Sequence, residues 1–341
     1  MSPPGTVALS VPHVGSVAAI AFSPDGARIA TGGGDSVIRV RAVGTGPVLD
    51  LPAMGFVADL AFSPDGAAIA VADLDRVLVH NATTGAVVWQ GPVEPDNSVN
   101  FVVFSPDGTA LIAATDTVVA TLDAATGALR RRIVVDPTIR AVDLSTDGGR
   151  LVIAIDERHG GNHRNAGSAR VIDVATGEER SRLTPDNAMF DVAFSPDGSF
   201  VLCSSADQTT RLFRADVGTE QWQTSDEWGR VAFDPTGRWT LVGGSGGTAR
   251  VLEAESGVEK SRVTHDGAVT EVAFSPNGLW AASAGIDNVL RVFNVLSGVD
   301  RYVLRSTAEV SAMRFSRDSR WLGLGLFNSA IVLDNGVPEG T

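Results

Sequence analysis

Cysteine and lysine each occur once, at Cys203 and Lys260, and these scarcities bound what the chain can be. A single cysteine excludes an internal disulfide, and Cys203 lies in an apolar stretch where a free thiol behaves as a small buried hydrophobe. The shortage of lysine, set against many arginines, reflects GC-rich coding better than a site. Long apolar runs are also missing: none approaches the ~18 residues that a membrane helix needs, so a soluble protein with no membrane partner is expected. Met1 to Gly5 hold no basic segment ahead of an apolar stretch, which leaves no secretory signal and makes the cytoplasm the expected location. Positive charge is the minority sign, with 27 basic against 40 acidic residues and a net charge of −13. Nucleic acid is therefore not expected as a partner, because its binding needs basic clusters that displace counterions.

What is abundant is apolar material, 44% of 341 residues, in a chain longer than one ordinary core supports. A repeat architecture resolves that tension. One signature recurs eight times: Phe22-Ser-Pro-Asp-Gly26, Phe62-Ser-Pro-Asp-Gly66, Phe104-Ser-Pro-Asp-Gly108, Leu144-Ser-Thr-Asp-Gly148, Phe194-Ser-Pro-Asp-Gly198, Phe233-Asp-Pro-Thr-Gly237, Phe274-Ser-Pro-Asn-Gly278 and Phe315-Ser-Arg-Asp-Ser319. Successive copies lie 40, 42, 40, 50, 39, 41 and 41 residues apart, the length of one four-stranded blade. Ser-Pro-Asp-Gly has turn chemistry: the serine bonds the backbone, proline sets φ, and glycine tolerates a positive φ at the exit. Apolar runs flank it as two inner strands, for example Val17 to Phe22 and Ile29 to Thr31. A third strand ends in a Thr-Gly or Ser-Gly turn, and a more polar fourth strand suits an exposed edge.

The sequence thus predicts an all-β closed propeller of four-stranded antiparallel blades, eight in number with seven as the alternative. It forms a single domain over 1–341, with repeats from about 6 to 334. The chain ends soon after Asp334, so residues around Thr6 to Val11 are expected to complete the last blade.

These residues resemble the WD-repeat (WD40-type) β-propeller family, in a degenerate, prokaryotic-like form. The family's His position is kept at His13 and His265, its turn aspartate at Asp35, Asp75, Asp116, Asp207 and Asp287. Its Trp position is held by Arg41, His80, Leu122, Ile172, Phe213, Leu252, Phe293 and Leu333. In the family the His and Asp tie a turn to the loop before the first strand, which implies a structural role for His13 with Asp35 and for His265 with Asp287. A catalytic reading of these pairs lacks a nucleophile at matching spacing.

The 50-residue spacing comes from an insertion around Asp156 to Ser168 that carries Arg158, His159 and His163. Gly160, Gly161 and Asn162 break the helix that two histidines four apart would need to bind a metal, so no metal is expected. A polar loop that touches a partner is the better reading. Loops on the same expected face carry Phe56, Phe101, Arg140, Phe190, Trp228, Arg230 and Glu271, and aromatics with arginine are the usual interface anchors.

The function expected is a non-catalytic scaffold or sensor platform, monomeric, that binds a protein or peptide on this face and at the channel mouth. The resemblance adds that bacterial members are often joined to, or work beside, effector or signalling domains. Asn81-Ala-Thr-Thr-Gly85-Ala-Val-Val-Trp89 resembles the docking repeat of eight-bladed quinone-cofactor dehydrogenases. Those enzymes also use a vicinal cysteine pair and a calcium-binding carboxylate cluster, which one cysteine cannot supply, so no cofactor is expected. Sugar or small-ligand binding in the channel is the remaining alternative.

Overall fold

The computed structural model describes residues 3–46, 48–94, 97–136, 138–157, 167–185, 187–225 and 229–336. Among them every regular element is a β-strand. Near the N-terminus run β1 (Thr6–Phe22), β2 (Arg28–Gly33), β3 (Val37–Ala42) and β4 (Val48–Pro52). Six four-stranded sheets follow. They comprise β5 (Val57–Phe62), β6 (Ala68–Asp73), β7 (Arg76–Asn81) and β8 (Val87–Pro92); then β9 (Val99–Phe104), β10 (Ala110–Thr115), β11 (Val118–Asp123) and β12 (Leu129–Val134). Next come β13 (Thr138–Leu144), β14 (Arg150–Asp156), β15 (Gly167–Asp173) and β16 (Glu179–Leu183), and then β17 (Met189–Phe194), β18 (Phe200–Ser205), β19 (Thr209–Arg214) and β20 (Glu220–Ser225). The last two are β21 (Val231–Phe233), β22 (Trp239–Gly243), β23 (Thr248–Glu253) and β24 (Glu259–Thr264), and β25 (Val269–Phe274), β26 (Trp280–Gly285), β27 (Val289–Asn294) and β28 (Asp300–Arg305). The closing strands β29 (Ala312–Phe315) and β30 (Trp321–Asp334) return to the first sheet, making it six-stranded in the order β29-β30-β1-β2-β3-β4.

The described residues therefore form seven sheets, and the expectation of eight blades is corrected to seven. The cause is the length of two strands, 17 residues in β1 and 14 in β30. Thr6 to Ser16 pair with β30, Thr6 opposite Asp334 and Val11 opposite Ala330, while Val17 to Phe22 continue into pairing with β2. The signature copies at Phe22 and Phe315 consequently fall within one hydrogen-bonded sheet.

Two compact units share the chain. The first spans Met1–Arg132, Ser275–Asn277 and Tyr302–Thr341, and the second spans Ile133–Phe274 and Gly278–Arg301. In the first, Ala19, Ile38, Leu51, Val57, Leu60 and Ile69 form one apolar cluster and Val99, Val102, Leu111 and Leu122 belong to another. In the second, Val152, Val171, Leu183, Val192 and Phe213 pack together, as do Leu241, Val251, Val272 and Phe293. Inner strands are buried on both faces, β10 throughout, because apolar clusters cover each side. Outer strands such as β12 are mostly exposed.

The signature's chemistry is visible in its bonds. Ser23 Oγ donates to Asp25 Oδ1 at 2.5 Å and accepts the Arg28 N–H at 2.9 Å, and Asp25 Oδ1 also takes the Ala27 N–H at 3.0 Å. Gly26 sits at φ +69°, where a Cβ would be strained. In Phe233-Asp-Pro-Thr-Gly237 the two side chains exchange roles: Asp234 accepts the Trp239 N–H at 2.7 Å, and Thr236 donates its hydroxyl back at 2.6 Å.

Carboxylates on first strands tie one sheet to the next inside each unit. Asp59 Oδ2 accepts the Val102 N–H at 3.0 Å, Asp143 Oδ2 that of Phe194 at 2.7 Å, and Asp191 Oδ2 that of Val231 at 3.0 Å. Each satisfies a backbone donor on an otherwise unpaired inner edge. Burial pushes the Asp59 carboxyl up to about 6, against the Val102 and Leu60 N–H groups and the charge of Arg314, which pull it down.

Candidate interaction surface

Within the first unit, Phe56 leads into β5 and stands in an apolar patch with two residues that sequence reasoning missed, Met54 and Leu74. They are 47%, 66% and 43% exposed respectively. Asp73, buried at the end of β6, builds this patch by accepting the Met54 N–H at 2.7 Å and the Gly55 N–H at 2.8 Å. Leu74 begins the tight turn from β6 to β7, where Asp73 pairs with Arg76, and it is held at φ +50°. A branched residue there costs roughly 1–2 kcal/mol relative to right-handed backbone. Gly55 leaves the room Leu74 needs, since a Cβ on it would lie 2.4 Å from Leu74 Cδ1. The available signal was the two-residue turn Leu74-Asp75, which lacks the glycine or asparagine such a turn prefers.

Within the second unit, Phe190, Arg230 and Glu271 come together as a cluster. Arg230 lies 3.6 Å from Glu271 and 3.9 Å from Asp191, and its guanidinium stands over the Phe190 ring at 6.0 Å. Phe190 is 40% exposed. The Arg140 guanidinium donates twice to buried Asp156, at 2.7 and 3.1 Å. Phe101, on β9 of the first unit, is half-buried. Arg158, His159, His163 and Trp228 lie outside the described residues.

His13 and Asp35 meet in the first unit, Nδ1 to Oδ1 at 3.2 Å, with His13 Nε2 at 2.8 Å from the Thr31 hydroxyl. Arg39, unforeseen from the sequence, donates to Asp35 at 2.7 Å. Asp35 also accepts the Val14 N–H, fastening the turn between β2 and β3 to the β1 backbone. His265 repeats this with Asp287 at 3.2 Å and Ser283 at 2.9 Å, and Asp287 accepts the Asp266 N–H. Ser283, His265 and Asp287 thus supply the hydroxyl that the sequence reading did not find. Yet Ser283 is wholly buried on β26, out of reach of a substrate, so the arrangement fastens a turn to a strand end. Burial lowers both histidine pKa values, outweighing the aspartates that raise them, and holds the rings neutral at neutral pH.

Cys203 is buried, and burial pushes its thiol pKa up, away from reactivity. Trp89 donates Nε1–H to the Ala124 carbonyl at 2.9 Å, and Trp222 does the same to Ala254 at 2.8 Å. Both indoles thereby fasten an outer strand to the turn at the end of a neighbouring sheet's third strand. No group of three or more His, Cys, Asp or Glu residues able to hold a metal occurs among the described residues. No described helix is long and apolar enough to cross a membrane.

Three stretches, residues 6–41, 179–214 and 258–294, match the WD40 family, described as WD domain, G-beta repeat. No curated protein matches the chain in sequence. Among solved structures, Sqt1 from Chaetomium thermophilum is similar with a TM-score of 0.83 and 18% identity, over 98% of this chain and 100% of that one. The C-terminal WD40 domain of Sif2 gives 0.80 and 15%, covering 99% of each chain. The computationally designed Ika8 protein gives 0.81 and 21%, over 97% of this chain and 100% of that one. WD40 propellers in general are platforms that bind other proteins. The chain carries WD40 repeats at these three places and has the fold of a WD40 β-propeller.

Proposed function

We propose that the chain is a non-catalytic platform in the cytoplasm that binds a protein or peptide partner through loops leading into its first strands. The observation that supports this most is the Met54–Phe56–Leu74 patch. Three large apolar side chains stand exposed on two loops, one of them in a backbone conformation that works against stability. Strain kept at a surface position is characteristic of binding sites. Because Asp73 fixes the loop amides before any partner arrives, little ordering entropy remains to be lost on binding. Phe190 and Arg230 form a second aromatic and arginine pair of the kind that anchors interfaces.

The test compares the wild-type chain with Leu74→Asn and Phe56→Ala in affinity capture from the native host, alongside chemical denaturation. Asparagine tolerates positive φ, so Leu74→Asn is expected to raise stability by about 0.5–1 kcal/mol while removing apolar surface. A platform acting through this patch loses its captured partner in both variants, although one of them is more stable than wild type. Retention of the same partner by both variants would refute the assignment of this surface.

A further inference from the structure

We infer that a cavity in the six-stranded sheet of the first unit is a binding site for a guanidinium group, carried by an arginine side chain of a protein partner. The cavity, about 650 Å³ in volume, lies among the β1–β2, β3–β4 and β29–β30 turns, and Asp25, Gly26, Val43, Asp318 and Trp321 help to line it. Between this sheet and β5–β8 the corresponding place is filled. There Arg28 donates to the Ala82 carbonyl at 2.6 Å and to the Gly66 carbonyl at 2.8 Å, with its guanidinium over the Phe62 ring at 5.4 Å. In the second unit Arg150 likewise stands over Phe194 at 5.9 Å, and a Cβ on Gly198 would lie 2.5 Å from Arg150 Nη2.

The repeat fixes the correspondence. Gly26 and Gly66 close the same signature turn, and the Val43 N–H bonds to the Ala27 carbonyl as the Ala82 N–H bonds to that of Ala67. Trp321 stands where Arg28 does, its N–H on the Ser316 hydroxyl as that of Arg28 is on Ser23, each at 2.9 Å. The two carbonyl acceptors are thus repeated at Gly26 and Val43, while an indole replaces the guanidinium that would serve them. Among the described residues neither carbonyl accepts a hydrogen bond. The outer strand supplies no substitute. Leu9 pairs with Val332 as Trp89 pairs with Val79, and where Trp89 donates to the Ala124 carbonyl, leucine has nothing to donate. The local charge differs as well. A Cβ on Gly26 would lie 3.5 Å from the Asp318 carboxylate, and Oδ2 of Asp25 and of Asp318 has no partner among the described residues. Of the cations beside the cavity, Arg28 is turned to the neighbouring sheet, and the Arg320 guanidinium lies over the Trp321 ring at 4.5 Å. Open carbonyls beside open carboxylates suit a planar cation with several donors, which a guanidinium is and a compact ammonium is not. The signature turns lie at the opposite ends of the first strands from the loop that carries Phe56, so this site is separate from that patch.

Isothermal titration calorimetry of the full chain tests this with an acetylated and amidated Gly-Arg-Gly peptide, its lysine counterpart and free arginine. The arginine peptide is expected to bind about tenfold or more tightly than the lysine peptide, and at least as well as free arginine. Asp318→Asn removes one charge and keeps the turn, since Asn277 accepts the Ser275 hydroxyl at 2.7 Å in another copy of the signature. It should weaken binding about threefold. Trp321→Arg supplies the missing guanidinium from the chain itself and should abolish binding. Circular dichroism checks that each variant folds, and Asp318→Asn decides the matter if Trp321→Arg does not fold. Equal binding of the two peptides overturns the proposal, as does the absence of binding at ~10 mM arginine peptide. Free arginine that binds more tightly than the peptide overturns the assignment to a protein partner. A folded Trp321→Arg chain that binds the peptide like wild type refutes this cavity as the site.

Discussion

At the scale of single residues, the signature turn works because one side chain accepts a backbone N–H while a second side chain pairs with the first. Ser105 and Asp107 show the common form, the Ser105 hydroxyl and Thr109 groups holding the Asp107 carboxyl near a pKa of about 2. At Asp234 and Thr236 the acceptor of the backbone N–H has become the carboxylate, and the hydroxyl donor sits two residues later. The exchange implies that the turn needs the carboxylate–hydroxyl pair, not either residue at a fixed place. Asp234→Ser alone places two hydroxyls together with no carboxylate, and Thr236→Asp alone sets two carboxylates against each other. Each is expected to lower stability by roughly 1–3 kcal/mol, since Asp234 is buried and its bonds are lost or opposed. The double variant restores the common form and is expected within about 0.5 kcal/mol of wild type, a coupling that a double-mutant cycle by urea denaturation measures. Additive losses would show that the local backbone, not the side-chain pair, selects these residues.

At the scale of elements, β1 is the strand with most depending on it. Its first half completes the pairing of β30, and its second half is the first strand beside β2. Val11 is almost fully buried and belongs to an apolar cluster with Val17, Ile29, Ala330 and Val332. Removing residues 1–12 takes away that side chain and strips the β30 edge of its partner, so a loss of at least about 3 kcal/mol is expected in chemical denaturation. A loss under about 1 kcal/mol would mean that β30 holds without it. The pairing of Thr6 to Val11 with the last strand was legible because residues 9–13 lead into the first signature as residues 261–265 lead into the seventh. The sheet count was not, because a repeat in sequence says nothing of whether β1 and β30 bend or break between two pairing partners. Here they run on, and two signature copies share one sheet. The candidate surface was half legible for a related reason. Phe56 and Phe190 declare themselves by size, whereas Leu74 matters through its backbone angle and Asp73 through the loop amides it holds. Neither property is a pattern of residue types.

For the molecule as a whole, the two histidine sites make stability depend on pH in a direction that can be worked out. Burial lowers the pKa of His13 and His265 below the ~6.5 of an exposed imidazole. The unfolded chain therefore binds protons that the folded chain refuses. Stability contributed by these sites is fully present above about 6.5 and is lost as pH falls through the lowered folded values. Other groups act on the same curve with different signs. Asp59, raised to about 6 in the fold, favours the folded state at low pH and withdraws that contribution as pH rises through 6. The repulsion of a −13 chain also eases as carboxylates protonate toward the isoelectric point near 4.8. A bare stability profile mixes these effects, but the difference between wild type and His265→Gln cancels all that the two share. Urea denaturation in steps from pH 7.5 to about 5 is expected to show wild type losing stability relative to His265→Gln below about 6.5, whatever the offset at neutral pH. A flat difference would mean that His265 titrates alike in folded and unfolded chains. A difference of opposite sign would mean that Asp287 outweighs burial and holds the ring protonated, turning a neutral fastening of the turn into a buried ion pair.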